Sequence, residues 1–230
     1  CEDALPYLES LLNSDYILKD YVLYDLADCY KKLNRKKDAF DKLILLSENY
    51  KNSPVAKNAY LQAIAVMGDV DLEEALRLIN KYLIRNPENE DALLLKFKLL
   101  EKAEKSGEFA YVLTNLFLKG CNNALFAYFK LAQMGKKPSI NEIETAVKKL
   151  YMNGYYQSVI EILKNNQELN EGLKLILGKS YFNLRNYYAA IRYLSELSNR
   201  EGKILLTNAY LRVGDRVAAD ICLRRLEKEN

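Results

Sequence analysis

The stretch Leu177-Gly178-Lys179-Ser180-Tyr181-Phe182-Asn183-Leu184-Arg185-Asn186-Tyr187-Tyr188-Ala189-Ala190-Ile191-Arg192-Tyr193-Leu194 decides the fold. It reads as a helix, a tight turn and a second helix. Leu177, Gly178 and Tyr181 fall on one face of the first helix, and Tyr187, Ala190 and Leu194 on one face of the second. Small residues at 178 and 190 let two antiparallel helices approach closely. The rest of the chain repeats this unit with drift.

Near the start, Leu5, Leu8, Leu11 and Leu12 line one face of a lead-in helix over Glu2 to Asn13, with Pro6 in its first turn. Leu26, Ala27 and Tyr30 then mirror Leu177, Gly178 and Tyr181, and Ala39 and Leu43 mirror Ala190 and Leu194, with a turn over Asn34 to Lys37. Pro54 opens a helix expected to run to Gly68, and the capping-box pair Asp71 and Glu74 starts its return helix, which carries Ala75 and Ile79 and stops before Pro87. Ala92 to Lys105 and Phe109 to Leu118 form the next pair, with Gly107 expected at the turn and Gly120 at the end.

The aromatic-rich segment Cys121 to Met134, with Phe126, Tyr128 and Phe129, is the most degenerate, and Gly135 and Pro138 punctuate it. Ser139 and Glu142 form a second capping box for a helix ending near Asn153-Gly154, and Tyr155 to Leu163 return, with Ser158 in place of the packing alanine. After the 177–194 hairpin, the last unit carries Leu206, Tyr210, Gly214-Asp215, Ala219 and Leu223. Successive packing positions lie 36 residues apart at Ala39 and Ala75, 32 at Ser158 and Ala190, and 29 at Ala190 and Ala219. A shrinking period predicts an all-α, tetratricopeptide-like superhelix, a solenoid of about seven antiparallel helix pairs with unequal helix lengths. No linker marks a boundary, so residues 1–230 read as one domain.

Composition agrees with helix. Half of the 230 residues are apolar, 28% are charged, and there are only 9 Gly and 4 Pro. With 34 Lys and Arg against 31 Asp and Glu, the charge of +3 is too small and mixed for a nucleic-acid or membrane footprint. No run approaches the ~20 apolar residues of a membrane span.

Histidine is absent, which removes the commonest general base, the Ser/His and Cys/His nucleophilic pairs and most zinc arrangements. Cys1, Cys29, Cys121 and Cys222 are far apart in sequence and form no C-x-x-C pair; Cys29 and Cys222 read as small buried residues of helices. Cys1 admits two explanations, a trimmed chain whose first residue is accidental, which is favoured, or the lipidated cysteine of a mature bacterial lipoprotein. The carboxylates, such as Glu73, Glu74, Glu142, Glu144, Glu227 and Glu229, sit near helix starts or alternate with Lys and Arg on solvated faces. Phosphate loops, dinucleotide fingerprints and nucleophile elbows are absent. No catalytic, cofactor-binding or metal-ligating residue is expected.

Tyrosine is common, at 18, and tryptophan absent. Tyr30, Tyr181, Tyr187 and Tyr210 are explained by helix packing. Tyr151, Tyr155, Tyr156, Tyr188 and Tyr193 are explained less fully; lining a concave surface, they would stack on sugars or grip peptides.

The run Leu18-Lys19-Asp20-Tyr21-Val22-Leu23-Tyr24-Asp25-Leu26-Ala27, followed by Ala39 to Leu46 and Tyr50-Lys51-Asn52-Ser53-Pro54, resembles the helical superhelix that precedes the catalytic domain of soluble lytic murein transglycosylases. The 177–194 hairpin and Ala209 to Asp215 resemble repeats nearer that catalytic domain. The family's catalytic Glu-Ser pair is followed downstream by a Gly-Leu-Met-Gln type motif; here Glu9-Ser10 is the one Glu-Ser pair and no such motif follows it. The resemblance therefore implies the non-catalytic arm of a periplasmic or cell-envelope enzyme of peptidoglycan, positioning glycan strands or envelope proteins. The alternative is a free-standing tetratricopeptide adaptor, an outer-membrane assembly lipoprotein anchored through Cys1.

Overall fold

Fourteen α-helices and no strand make up the described residues of this computed structural model, which are 1–164, 166 and 169–228. The chain divides into two units, Cys1–Val112 and Leu113–Asn230, and the division falls inside a helix. The first unit holds α1 (Leu5–Asn13), α2 (Lys19–Lys32), α3 (Lys36–Asn49), α4 (Ala59–Met67), α5 (Leu72–Arg85) and α6 (Glu90–Lys102). Helix α7 (Ser106–Lys119) spans the division. The second holds α8 (Ala124–Gln133), α9 (Ile140–Met152), α10 (Tyr156–Lys164), α11 (Glu171–Asn183), α12 (Tyr187–Leu194), α13 (Arg200–Val213) and α14 (Arg216–Lys228).

Neighbouring helices pack on one another, most extensively α2 on α3, α3 on α4, α11 on α12 and α13 on α14. One turn recurs between them. The amide of Arg35 donates to the carbonyl of Tyr30 at 2.8 Å, that of Lys105 to Leu100 at 3.1 Å, Tyr155 to Leu150 at 2.9 Å, Asn186 to Tyr181 at 2.9 Å and Asp215 to Tyr210 at 3.0 Å. Each bond closes over one residue with positive φ: Asn34, Glu104, Gly154, Arg185 and Gly214. This is the six-to-one closure that satisfies helix-end carbonyls and reverses the chain within a few residues. Asx caps then start several following helices, as where Asn186 accepts from the amide of Ala189 at 3.2 Å and Asp215 from that of Ala218 at 2.9 Å.

The 177–194 hairpin packs as its spacing predicts. Leu177, Ala190 and Leu194 are fully buried, and a Cβ on Gly178 would stand 2.6 Å from Cδ2 of Leu194. In the first unit Leu26, Ala27, Ala39 and Leu43 are equally buried. Leu5, Leu8, Leu11 and Leu12 of α1 rest on the cluster of Val22, Leu26, Tyr30 and Ala39. These four leucines are half-buried, so each contributes less than the roughly 1.5–3 kcal/mol of a fully buried one.

Some expectations change. Pro54 starts only a one-turn helix over Pro54–Ala56, capped by Ser53, and α4 begins at Ala59. Proline fixes the entry but does not carry the helix through. Gly107 lies within the first turn of α7; the turn's left-handed residue is Glu104. Asp71 forms half of the expected capping box, accepting from Glu74 at 3.0 Å, whereas Ser139 and Glu142 form all of theirs. Leu223, the counterpart of Leu194, is 46% exposed, since no described residue covers that face of α14.

Candidate functional site

Several carboxylates tie helices together or pair along one helix. Tyr30 donates to Glu9 at 2.6 Å, so the one Glu-Ser pair ties α1 to α2. Glu73 accepts from Lys105 at 2.8 Å, Glu74 pairs with Arg77 at 2.6 Å and Glu144 with Lys148 at 2.6 Å. Glu227 is exposed, and Glu229 lies outside the described residues. Asp69 gathers Lys102 at 2.7 Å and Lys36 at 3.2 Å, and these cations hold its carboxyl below the usual range, the Lys102 hydrogen bond contributing most.

In the second unit, α9 packs against α11 and α11 against α13. These are the first helices of three successive pairs, and together they enclose a cleft of about 240 Å³ lined by Tyr151, Lys179, Phe182, Asn183, Glu201, Ile204 and Leu205. Asn183 Nδ2 donates to Tyr151 Oη at 3.2 Å. Lys179 Nζ sits 5.9 Å from the centre of the Tyr151 ring and pairs with Glu201 at 2.5 Å. Tyr156 backs the Tyr151 ring, 5.4 Å away at 56°. The cleft thus offers a ring face, an amide, an ammonium and a carboxylate over an apolar floor. Glu201 is the one carboxylate among its lining residues, so it has no acid/base pair of carboxylates.

Of the five less-explained tyrosines, only Tyr151 lines this cleft. Tyr193 stacks on Tyr181 with centroids 5.5 Å apart and planes 4° apart, and burial raises the Tyr181 hydroxyl above its ordinary value. Tyr188 is 77% exposed, and Tyr155 and Tyr156 are half-buried. Tyr30 also does more than pack: burial, then its bond to Glu9, pushes its hydroxyl up to about 12, and Arg35 lies 4.5 Å over the ring.

Lys179, Asn183 and Glu201 were not anticipated from sequence. The repeat period was the available signal, because residues about 32 apart, as Asn183 is from Tyr151, come side by side when helix pairs stack.

The first unit has a different groove, of about 370 Å³, lined by residues at the C-terminal ends of α3 and α5 and by Tyr60 of α4. Tyr60 and Tyr82 stack there, 5.6 Å apart at 25°, and Asn89 donates to Tyr82 Oη at 3.2 Å. Lys51, Lys81 and Arg85 line it with one carboxylate, Glu48. Two helix C-termini carry partial negative charge, which offsets part of this cationic cluster.

No helix among the described residues is long and apolar enough to cross a membrane. No protein-family model and no curated protein matches the chain.

Proposed function

We propose that the chain is a non-catalytic, tetratricopeptide-like scaffold of the bacterial envelope that holds peptidoglycan glycan strands for a lytic transglycosylase, with the Tyr151 cleft as its contact. The single observation that carries this reading is the shared cleft of α9, α11 and α13, in which Tyr151, Lys179 and Asn183 come from two successive pairs and Glu201 from a third. An aromatic face beside amide and charged hydrogen-bonding groups suits a sugar ring, whose C–H face stacks and whose hydroxyls both donate and accept. The recurring turn at Asn34, Glu104, Gly154, Arg185 and Gly214 supports the repeat architecture. The Leu18 to Ala27 run supports the choice of family.

Calorimetric titration of the purified chain with glycan strands freed of stem peptides tests the proposal. Saturable binding is expected, with no soluble muropeptide released on long incubation. Tyr151→Ala is expected to weaken it by about 2–10-fold, the loss of one ring contact. Absence of binding, or turnover by the chain alone, would contradict the reading.

A further inference from the structure

Two cysteines that are distant in sequence meet in the first unit. Cys1 caps the short turn Glu2–Ala4 that leads into α1, and Cys29 is half-buried near the end of α2. Their sulfurs lie 2.8 Å apart, about 0.8 Å beyond the roughly 2.05 Å of a covalent disulfide. The approach is held from both sides. Leu5, Leu8, Leu11 and Leu12 pack α1 onto the Val22, Leu26, Tyr30 and Ala39 cluster, and the Tyr30 to Glu9 bond fixes the register next to Cys29. Cys1 is exposed, so a small disulfide reaches it from solvent.

We infer that Cys1 and Cys29 are a site of disulfide formation that staples α1 to α2. The oxidant is a low-molecular-weight disulfide or a dithiol-disulfide oxidoreductase. The Cys1 thiolate attacks one sulfur of the oxidant, forming a mixed disulfide and releasing one thiol. The Cys29 thiolate then attacks the Cys1 sulfur, forming the intramolecular bond and releasing the second thiol. Two protein thiols lose two electrons and two protons in total, and the oxidant is reduced to two thiols. The resulting loop spans all of α1 and most of α2, and closing a loop of this size restrains the opened chain by about two to three orders of magnitude in the opening equilibrium.

The test uses the full chain, reduced, desalted and incubated with oxidised glutathione, then alkylated and digested with trypsin without reductant. The expected product is the peptide Cys1–Lys19 joined to Asp20–Lys31, with the mass of two hydrogens lost, and separated by reductant. Amide hydrogen exchange over α1 is expected to slow on oxidation and to recover on reduction. In Cys29→Ser, Cys1 is expected to retain a glutathione adduct instead. Glutathione adducts persisting on both cysteines of the unaltered chain, pairing of Cys1 with Cys121 or Cys222, or a thioether-linked acyl group on Cys1 of the protein isolated from its natural source would overturn the inference. Because glycan binding plays no part in this readout, its outcome is separate from that of the proposed function.

Discussion

The α2–α3 hairpin of the first unit and the α11–α12 hairpin of the second bury the same pattern, yet they solve the crossing differently. Ala27 fits a methyl group at its crossing and is fully buried. At the equivalent Gly178, Leu194 fills that space, with its Cγ and Cδ2 at 2.7 and 2.6 Å from a Cβ position. A branch carbon cannot swing away as freely as a side-chain tip. The pattern thus demands only a small residue, and the facing leucine decides whether one carbon fits. The turns differ too: Asn34 occupies the left-handed position in the first hairpin and Arg185 in the second, at φ 58° and 61°. Asparagine tolerates that region; arginine holds it at a cost.

The largest effect expected from this contrast is that of Gly178→Leu, which drives a full side chain into Leu194 and lowers stability by about 1–3 kcal/mol. Thermal or urea unfolding measures it, and unchanged melting would break the register on which the hairpin rests. Gly178→Ala sharpens the comparison. Helix propensity alone favours alanine by about 1 kcal/mol, but the Leu194 contact reverses the sign, so this substitution destabilises. A stabilised variant would mean that Leu194 moves aside.

At the turns, Arg185→Gly is expected to stabilise by about 1 kcal/mol, and Gly214→Ala, at φ 82°, to destabilise by a similar amount. Opposite signs in two turns of one unit test whether the recurring closure is shared.

Much of this was legible in the sequence. The period of the apolar residues places the helices, and small residues at 27, 39, 178 and 190 place close, fully buried crossings. Turn positions were less legible, because Glu104 and Arg185 adopt a conformation that glycine or asparagine would advertise. Gly107 misled for the converse reason, being tolerated in a helix's first turn. The Tyr151 cleft was half legible. Tyr151 stands out by type, but Lys179, Asn183 and Glu201 are common surface residues whose meaning comes only from the stacking of three helix pairs. The Cys1–Cys29 meeting, 28 residues apart in sequence, depended on how α1 folds back on α2.

The two units differ in charge as well as in packing. The first carries 16 Lys and Arg against 20 Asp and Glu, the second 18 against 11. The grooves run against this trend: the acidic first unit has the cationic groove of Lys51, Lys81 and Arg85, and in the basic second unit Lys179 is neutralised by Glu201. Net charge therefore says little about either groove.

Smaller effects within the first unit depend on pH. Tyr30 is raised to about 12 in the folded state, so its stabilisation is present below the ordinary tyrosine value of about 10 and is lost as pH rises through 12. Asp69 is lowered, so its contribution is present above the ordinary carboxylate value of about 4 and is lost as pH falls through its folded value. Tyr30→Phe is expected to flatten the alkaline limb of a stability profile, and Asp69→Asn the acid limb, the latter only slightly because the Asp69 side chain is half exposed. Unchanged limbs would remove these latches from the account of the first unit.

The most direct test of the central claim is nuclear magnetic resonance mapping of glycan strands on the full chain. The account predicts saturable shifts at Tyr151, Lys179 and Asn183, with Tyr60 and Tyr82 of the first unit little changed. Shifts confined to Tyr60, Tyr82 and Arg85, or none at all, would contradict it.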